Sequence, residues 1–310
     1  MHLRERYEGC MLGLACGDAL GAPVEFMPRG GFAPVETMRG GGKFAVTRGQ
    51  WTDDTSMALC MAMSLLECKG FDPLDQMEKY YQWATNGFMS SKERAFGIGK
   101  TIGNALALYH KTRQPYCGSN RPRSAGNGAL MRLAPVPLYF FPDRNKIEHF
   151  AVESARTTHA AEECLQANRI FGQMMLMALQ GKEKAEILFA SGIDTNQFSP
   201  GLRSVVAGGY RDKAEDGISS TGYVMHTLEA ALWCFWKTDN FEEAVLRAVN
   251  LGGDSDTVGA VCGQLAGAYY GCTAIPAGWV ADLAKSELIR EIAGRLFSEN
   301  SEHAQAGSPT

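Results

Sequence analysis

The 310-residue sequence contains no apolar run long enough for a membrane-spanning helix. Residues 1–6 are charged and are not followed by an apolar segment with a cleavage site, so we expect no signal peptide. The nine cysteines form no Cys-x-x-Cys pair, and most lie in apolar helical patterns, as small buried side chains do in a reducing compartment. We therefore expect a soluble, cytoplasmic protein that does not contact membranes.

Basic residues are fewer than acidic ones, 30 against 34, which gives a net charge of −4 and an isoelectric point near 5.9. This balance argues against nucleic acid as a partner. One segment departs from it, because residues 94–142 contain seven basic residues and no acid. Such a segment suits a phosphorylated ligand, or equally a solvated surface. The seven are Arg94, Lys100, Lys111, Arg113, Arg121, Arg123 and Arg132.

No segment alternates apolar and polar residues as a strand does, and no internal repeat is visible. About a dozen helical patterns follow one another with short connections, which predicts an all-α fold, a compact orthogonal helical bundle. The length alone suggests about two domains. We expect one, over residues 1–297, because two acidic clusters far apart in sequence fit a single site. Polar residues 298–310 are expected to form a disordered tail.

The first acidic cluster stands at the start of an apolar helical pattern over residues 57–66. A helix cap explains one acid there, since a short oxygen side chain accepts from the free N–H groups of the first turn. It does not require two acids and three hydroxyls together. Hard divalent cations prefer such oxygen ligands. The cluster is Thr52, Asp53, Asp54, Thr55 and Ser56.

A second cluster near the other end of the chain has similar content. Asp254, Asp256 and Thr257 follow two glycines and begin an apolar helix over residues 258–270. Either cluster alone is more often a capped helix. If the two converge, their oxygens suffice for two Mg²⁺ or Mn²⁺ ions, in a binuclear centre at helix N-termini.

The helix predicted over residues 7–22 is rich in small residues, which indicates that another backbone packs closely against it. Asp18 within it is interpreted as a buried cap or hydrogen-bond acceptor rather than a ligand. Glu25 follows the end of this helix and, taken alone, would be an ordinary surface residue.

The glycines on either side of Asn127 precede a predicted helix, so this loop is either an anion-binding loop at a helix N-terminus or a simple turn. His159, at another predicted helix start, either touches a ligand or is structural.

Five motifs, at residues 17–26, 51–55, 126–128, 158–159 and 252–257, resemble in order those of the ADP-ribosylglycohydrolase family. This family includes the dinitrogenase reductase-activating glycohydrolase and the ADP-ribosyl-arginine hydrolases. The resemblance extends over about residues 7–297. It implies a compact helical domain around a binuclear Mg²⁺ or Mn²⁺ centre.

The resemblance also implies roles for individual residues. The metal ligands would be Thr52, Asp53, Asp54, Asp254, Asp256 and Thr257, and the catalytic carboxylates Glu25, Asp53 and Asp256. The loop of Gly126, Asn127 and Gly128 would hold the diphosphate and ribose, and His159 and Tyr223 would line the ADP-ribose cleft. Some arginine-directed relatives carry an acid just before this loop, where the present chain has Ser124.

The implied reaction is hydrolysis of the N-glycosidic bond between ADP-ribose and a protein side chain, most often arginine, by a monomeric enzyme. The expected partners are ADP-ribose and an ADP-ribosylated protein. Three alternatives stay open at this point: a hydrolase of serine-linked or O-acetyl-ADP-ribose, a non-catalytic ADP-ribose-binding or J-crystallin-like relative, and another two-metal hydrolase such as a phosphoesterase.

Overall fold

A computed structural model describes residues 1–189 and 198–306. These residues form fourteen α-helices and no strand, and nearly all of their buried apolar side chains belong to one core, so the predicted all-α, single-domain class is confirmed. The helices are α1 Leu3–Gly21, α2 Asp53–Cys68, α3 Pro73–Asn86, α4 Lys100–Thr112, α5 Pro135–Phe140, α6 Arg144–Arg156, α7 Glu162–Leu179, α8 Lys184–Phe189, α9 Pro200–Val206, α10 Val224–Trp236, α11 Phe241–Asn250, α12 Ser255–Tyr270, α13 Ala277–Asp282 and α14 Ser286–Ala306.

The two central helices, α1 and α12, pack antiparallel with their backbones in contact. A Cβ atom placed on Gly13 would lie 2.3 Å from the carbonyl oxygen of Gly263, and one on Gly17 would lie 2.1 Å from that of Gly259. Side chains larger than hydrogen do not fit at these distances, which is why the small residues recur once per turn. The close backbone approach predicted from the sequence is confirmed. The facing pairs are Gly9 with Gly267, Gly13 with Gly263, Gly17 with Gly259, and Gly21 with Asp256.

One predicted helix start, the one directly after the Asn127 loop, is wrong. Residues 128–132 form turns and the next helix, α5, begins at Pro135, so the Asn127 loop does not lie at a helix N-terminus.

The last helix is longer than predicted: α14 continues to Ala306, whereas a disordered tail was predicted from residue 298. Asn300 explains part of this extension. Its buried side-chain amide donates to the carbonyl oxygens of Tyr139 and Phe141 at the end of α5. The remainder of the predicted tail, residues 307–310, lies outside the described residues.

Among the described helices, none is long and apolar enough to cross a membrane. All nine cysteines are free, and seven of them are buried. The interpretation of the cysteines as small buried side chains is therefore confirmed for most of them.

Candidate active site

A cleft of about 730 Å³ opens where α1 ends and where α2 and α12 begin. Both acidic clusters contribute to its wall, as does the loop around Asn127. The lining residues include Glu25, Phe26, Lys43, Phe44, Asp53, Asp54, Gly97, Ile98, Lys100, Gly126, Asn127, Gly128, Met131, His159, Thr221, Gly222, Asp254, Asp256 and Thr257.

The antiparallel packing of α1 on α12 brings Glu25 to the second acidic cluster. The segment after α1 pairs with the glycine turn before α12: the Phe26 amide donates to the Gly253 carbonyl (2.6 Å), and the Gly253 amide donates to the Met27 carbonyl (2.8 Å). Gly253 has φ of +66°, and a Cβ there would lie 2.3 Å from the carbonyl oxygen of Ser220. The two glycines of this turn are thus required by backbone geometry and close contact.

Asp18 joins the first acidic cluster to α1. One of its carboxylate oxygens accepts from the backbone N–H (2.8 Å) and the hydroxyl (2.9 Å) of Thr52, and the other accepts from the N–H (3.0 Å) and the hydroxyl (2.7 Å) of Thr55. The carboxylate therefore caps the start of α2 from a neighbouring helix. Its interpretation as a buried hydrogen-bond acceptor is confirmed.

Carboxylates from the end of α1 and from both clusters meet in two groups of three. Asp18, Asp54 and Asp256 form one group, and Glu25, Asp254 and Asp256 form the other; within each, the ligand-type oxygens lie within 4.8 Å of one another. Asp256 belongs to both groups. The two predicted clusters, about 200 residues apart in sequence, are therefore adjacent in the fold.

Three further predicted ligands lie beside these groups. The Thr52 hydroxyl is 3.5 Å from an oxygen of Asp256 and is fully buried. Asp53 and Thr257 line the cleft directly. Gly97 leaves room for Asp53, because a Cβ on this glycine would lie 2.4 Å from the carboxylate.

Burial and mutual repulsion raise the pKa values of these carboxyl groups. For Glu25, burial and then the neighbouring Asp254 raise the pKa to about 8, and burial raises that of Asp18 to about 6. The pKa values of Asp53, Asp54 and Asp256 are raised well above the ordinary value, again mainly by burial and then by the neighbouring acids.

Two buried oxygens in the cluster, Oε2 of Glu25 and Oδ1 of Asp54, have no hydrogen-bond partner among the described residues. Buried oxygens of this kind are unfavourable unless something pairs with them. A set of closely spaced oxygens with unused lone pairs and excess negative charge fits hard divalent cations, which bind carboxylates and hydroxyls in this way.

Asn127 connects the glycine loop to the acidic centre. Its side-chain amide donates to Asp254 (2.6 Å) and to the hydroxyl of Thr227 (2.8 Å), and its backbone N–H donates to the carbonyl of Gly222 (3.1 Å). Burial raises the pKa of Asp254, and the bond from Asn127 opposes this by favouring the ionised carboxylate. The side-chain NH₂ group of Asn127 therefore donates both of its hydrogens to protein groups, while the loop that carries it borders the cleft.

His159 lines the cleft and is 2 % exposed. Burial, and then the positive charge of Arg132, lower its pKa to about 3, so the imidazole is neutral near neutral pH. Tyr223 differs from its prediction: it is not among the described residues that line the cleft, and its hydroxyl donates to Glu163 at 2.8 Å. Its neighbours Thr221 and Gly222 line the cleft instead.

The basic segment contributes less to the cleft than its composition suggested. Lys100 lines it, but Arg121 and Arg123 are exposed and do not, and Arg132 is fully buried behind the wall. Lys43, which sequence reasoning missed, lines the cleft with its ammonium 4.2 Å from the Phe26 ring centroid.

This site combines a ligand-sized cleft with an acidic centre that could hold divalent cations, in an all-helical domain, and this arrangement fits a hydrolase. The ADP-ribosylglycohydrolase family model matches residues 1–306, and the chain belongs to this family of hydrolases.

Named relatives agree with the family assignment. The chain is 38% identical over 300 residues to an ADP-ribosylarginine hydrolase of Serratia proteamaculans, covering 94% of this chain and 79% of that protein. It is 33% identical to the ADP-ribosyl-[dinitrogen reductase] glycohydrolase of Rhodospirillum rubrum, with 91% of each chain covered. A solved structure titled "ADP-ribosylglycohydrolase-related protein complex" superimposes with a TM-score of 0.86 at 44% identity, covering 96% of this chain and 99% of that one.

Proposed function

We propose that the protein hydrolyses the N-glycosidic bond between ADP-ribose and an arginine side chain of a modified protein, using two divalent cations, Mg²⁺ or Mn²⁺. The observation that carries this proposal is the position of Asp256, which is shared by two carboxylate groups in the wall of a cleft. The arginine linkage is supported by the name of the relative from Serratia proteamaculans.

The residues proposed to hold the cations are three carboxylates of the two groups and the three further predicted ligands beside them. Asp18 lies within ligand distance, but both its oxygens already accept hydrogen bonds from Thr52 and Thr55, so we assign it the positioning of α2. When bound, the cations would polarise a water and the ribose hydroxyls. The proposed ligands are Thr52, Asp53, Asp54, Asp254, Asp256 and Thr257.

Glu25 is the proposed proton acceptor for the attacking water. Its Oε2 is buried and has no hydrogen-bond partner in the part of the chain that the structure describes, and the segment that carries it is fixed by the two backbone bonds to Gly253. A carboxylate held in this way can take a proton from a water in the cleft. Asp53 and Asp256, also proposed as catalytic carboxylates, would keep the centre negative as positive charge develops on the ribose.

The glycine loop is the proposed holder of the diphosphate. Its residues 126–128 border the cleft. The N–H of Gly126 donates to Ser124 and that of Asn127 donates to Gly222, whereas the N–H of Gly128 has no acceptor among the described residues and is the one we assign to a phosphate oxygen. The bond from Asn127 to Asp254 would hold this loop at a fixed position relative to the acidic centre. The Asn127 side chain would thus help to place the bound substrate correctly for bond cleavage.

A linkage assay tests the proposal. The protein is incubated with arginine-linked and serine-linked ADP-ribosyl peptides and with O-acetyl-ADP-ribose, in Mg²⁺, Mn²⁺ or EDTA, and released ADP-ribose is measured. We expect release from the arginine-linked peptide, dependent on cation. Release only from another substrate would overturn the arginine assignment, and release in EDTA would overturn the cation dependence. Absence of release from every substrate would overturn the catalytic assignment and favour a binding protein.

A further inference from the structure

Behind the wall of the cleft, Arg132 is fully buried and forms no ion pair with a carboxylate among the described residues. Its guanidinium instead lies 4.6 Å from the ring centroid of Tyr80 and donates to the hydroxyl oxygen of Thr158 at 2.7 Å. A buried arginine held by neutral groups requires good hydrogen-bond acceptors, because its N–H groups can only donate.

The hydrogen bonds of the Thr158 hydroxyl indicate which nitrogen of His159 carries the proton. Thr158 is fully buried, and its oxygen also lies 2.8 Å from Nδ1 of His159. The oxygen accepts from Arg132, and the buried hydroxyl hydrogen needs an acceptor of its own; within the described part of the chain, Nδ1 of His159 is the acceptor in reach. If Nδ1 carried a proton, the oxygen would accept from both N–H groups and the hydroxyl hydrogen would be buried without a partner, which is costly.

In a neutral imidazole whose Nδ1 accepts a hydrogen bond, the proton is on Nε2. That nitrogen faces the glycine loop at the cleft: a Cβ on Gly128 would lie 3.0 Å from Nε2 and 2.7 Å from Cε1 of His159. The absence of a side chain at Gly128 therefore keeps this side of the imidazole free of a covering Cβ.

We propose that Arg132 is a positioning residue that acts through Thr158 to fix the Nε2–H tautomer of His159, which makes the imidazole a neutral hydrogen-bond donor to an oxygen of ADP-ribose. The identity of the ligand rests on the proposed function, whereas the tautomer does not. The low pKa of His159, caused by burial and by Arg132, is consistent with a ring that stays neutral.

The tautomer can be measured directly in the wild-type protein. The chain has six histidines, so ¹⁵N-histidine labelling with a two-bond ¹H–¹⁵N spectrum gives few signals, and His159→Gln identifies the one of interest. We expect a bare, pyridine-type Nδ1 and a protonated, pyrrole-type Nε2 at neutral pH. A protonated Nδ1, or averaged shifts from two exchanging tautomers, would overturn the proposal.

Substitutions at Thr158 test the connection to Arg132. Thr158→Val keeps the shape and removes the hydroxyl, so the His159 signals should shift toward averaged tautomers and the Kd for ADP-ribose should rise roughly tenfold, the loss expected for a well-formed hydrogen bond. Thr158→Ser retains the hydroxyl and should keep the wild-type His159 signals and the wild-type Kd. Thr238→Val removes another buried hydroxyl, which follows the end of α10 and donates to Cys234, and should change neither the His159 signals nor the Kd.

The outcomes separate this proposal from the proposed function. Unchanged His159 shifts in folded Thr158→Val would overturn the role of the hydroxyl, whatever the activity. Arg132→Lys keeps a charge but loses the fork of N–H donors, and a tautomer identical to wild type in that variant would overturn the role of Arg132. A wild-type protein with the expected tautomer but no affinity for ADP-ribose would instead overturn the ligand assignment.

Discussion

Gly17 of α1 and Gly259 of α12 face each other so closely that a Cβ atom on Gly17 would lie 2.1 Å from the carbonyl oxygen of Gly259. This contact lies in the middle of the α1–α12 packing and fixes the distance between the two helices. Because Glu25 follows α1 and Asp256 begins α12, the same contact sets how the carboxylates of the centre meet.

Gly17→Ala should therefore destabilise the protein by about 3 kcal/mol or more, since the added methyl group meets backbone that cannot rotate away. Cation affinity should fall as well, because the helices must separate. Gly103→Ala in α4 is the matched control: of the described residues its Cβ would meet only Ile98, at 3.7 Å, and alanine favours a helix by about 1 kcal/mol. Urea denaturation of both variants measures the difference. Equal stabilities would contradict the close contact.

The acidic centre was predictable from sequence because each half has a local signal. Thr52 to Ser56 and the Asp254 segment each precede an apolar helix, and a helix cap does not account for so many oxygens. The small residues of α1 likewise predicted a close helix partner. They did not identify α12 as that partner, since helix pairing depends on the whole core.

The rest of the cleft depends on loop conformations that lack periodic patterns. Lys43 reaches the cleft because Gly42, with φ of +71°, lets its loop lie against Pro23, a contact that no local pattern in the sequence specifies. The hydrogen bonds from Arg132 through Thr158 to His159 could not be predicted from the sequence either. A charged residue in a basic segment is usually solvated, whereas this one is buried.

Replacing Asp256 should abolish hydrolysis, because its carboxylate is shared by both oxygen groups. Asp256→Asn should lower kcat/KM for an ADP-ribosylarginine peptide by at least about a hundredfold and weaken Mn²⁺ binding in calorimetry. Without cations the variant should be as stable as wild type or more so, since one of several repelling acids is gone. Asp216→Asn, at an exposed position, is the control and should retain wild-type activity. Substantial turnover by Asp256→Asn would refute the proposed centre.

The stability of the cation-free protein should fall as pH rises from about 4.5, the ordinary pKa of Glu25, to about 8, its folded-state pKa. The folded-state pKa of Glu25, about 8, lies above its ordinary value of 4.5, so the folded protein holds this proton more tightly than the unfolded chain. The resulting stabilisation is complete below the ordinary pKa and is lost as pH rises through the folded value. Saturating Mg²⁺ should remove the decline, because bound cations stabilise the ionised cluster.

Thermal denaturation in EDTA across this pH range, repeated with Mg²⁺, measures the effect. Glu25→Gln should reduce the slope in EDTA, because the amide cannot ionise. A melting temperature in EDTA that is constant or rises through the range would be inconsistent with the raised pKa of Glu25.

Electrostatic capture of ADP-ribose should depend on Lys100 rather than on the exposed arginines of the same basic segment. Lys100 lines the cleft at the first turn of α4, whereas Arg121 and Arg123 do not line it. Attraction between an exposed ammonium and a diphosphate is worth up to about 1 kcal/mol and is screened by salt. Lys100→Gln should therefore raise the Kd for ADP-ribose up to about fivefold at low ionic strength, with a smaller effect at high ionic strength, and should leave kcat nearly unchanged.

Arg123→Gln removes one charge from the same segment and serves as the control. Isothermal titration at two salt concentrations decides the question: a larger loss for Arg123→Gln than for Lys100→Gln would mean that the diphosphate approaches from the exposed loop and not across the start of α4.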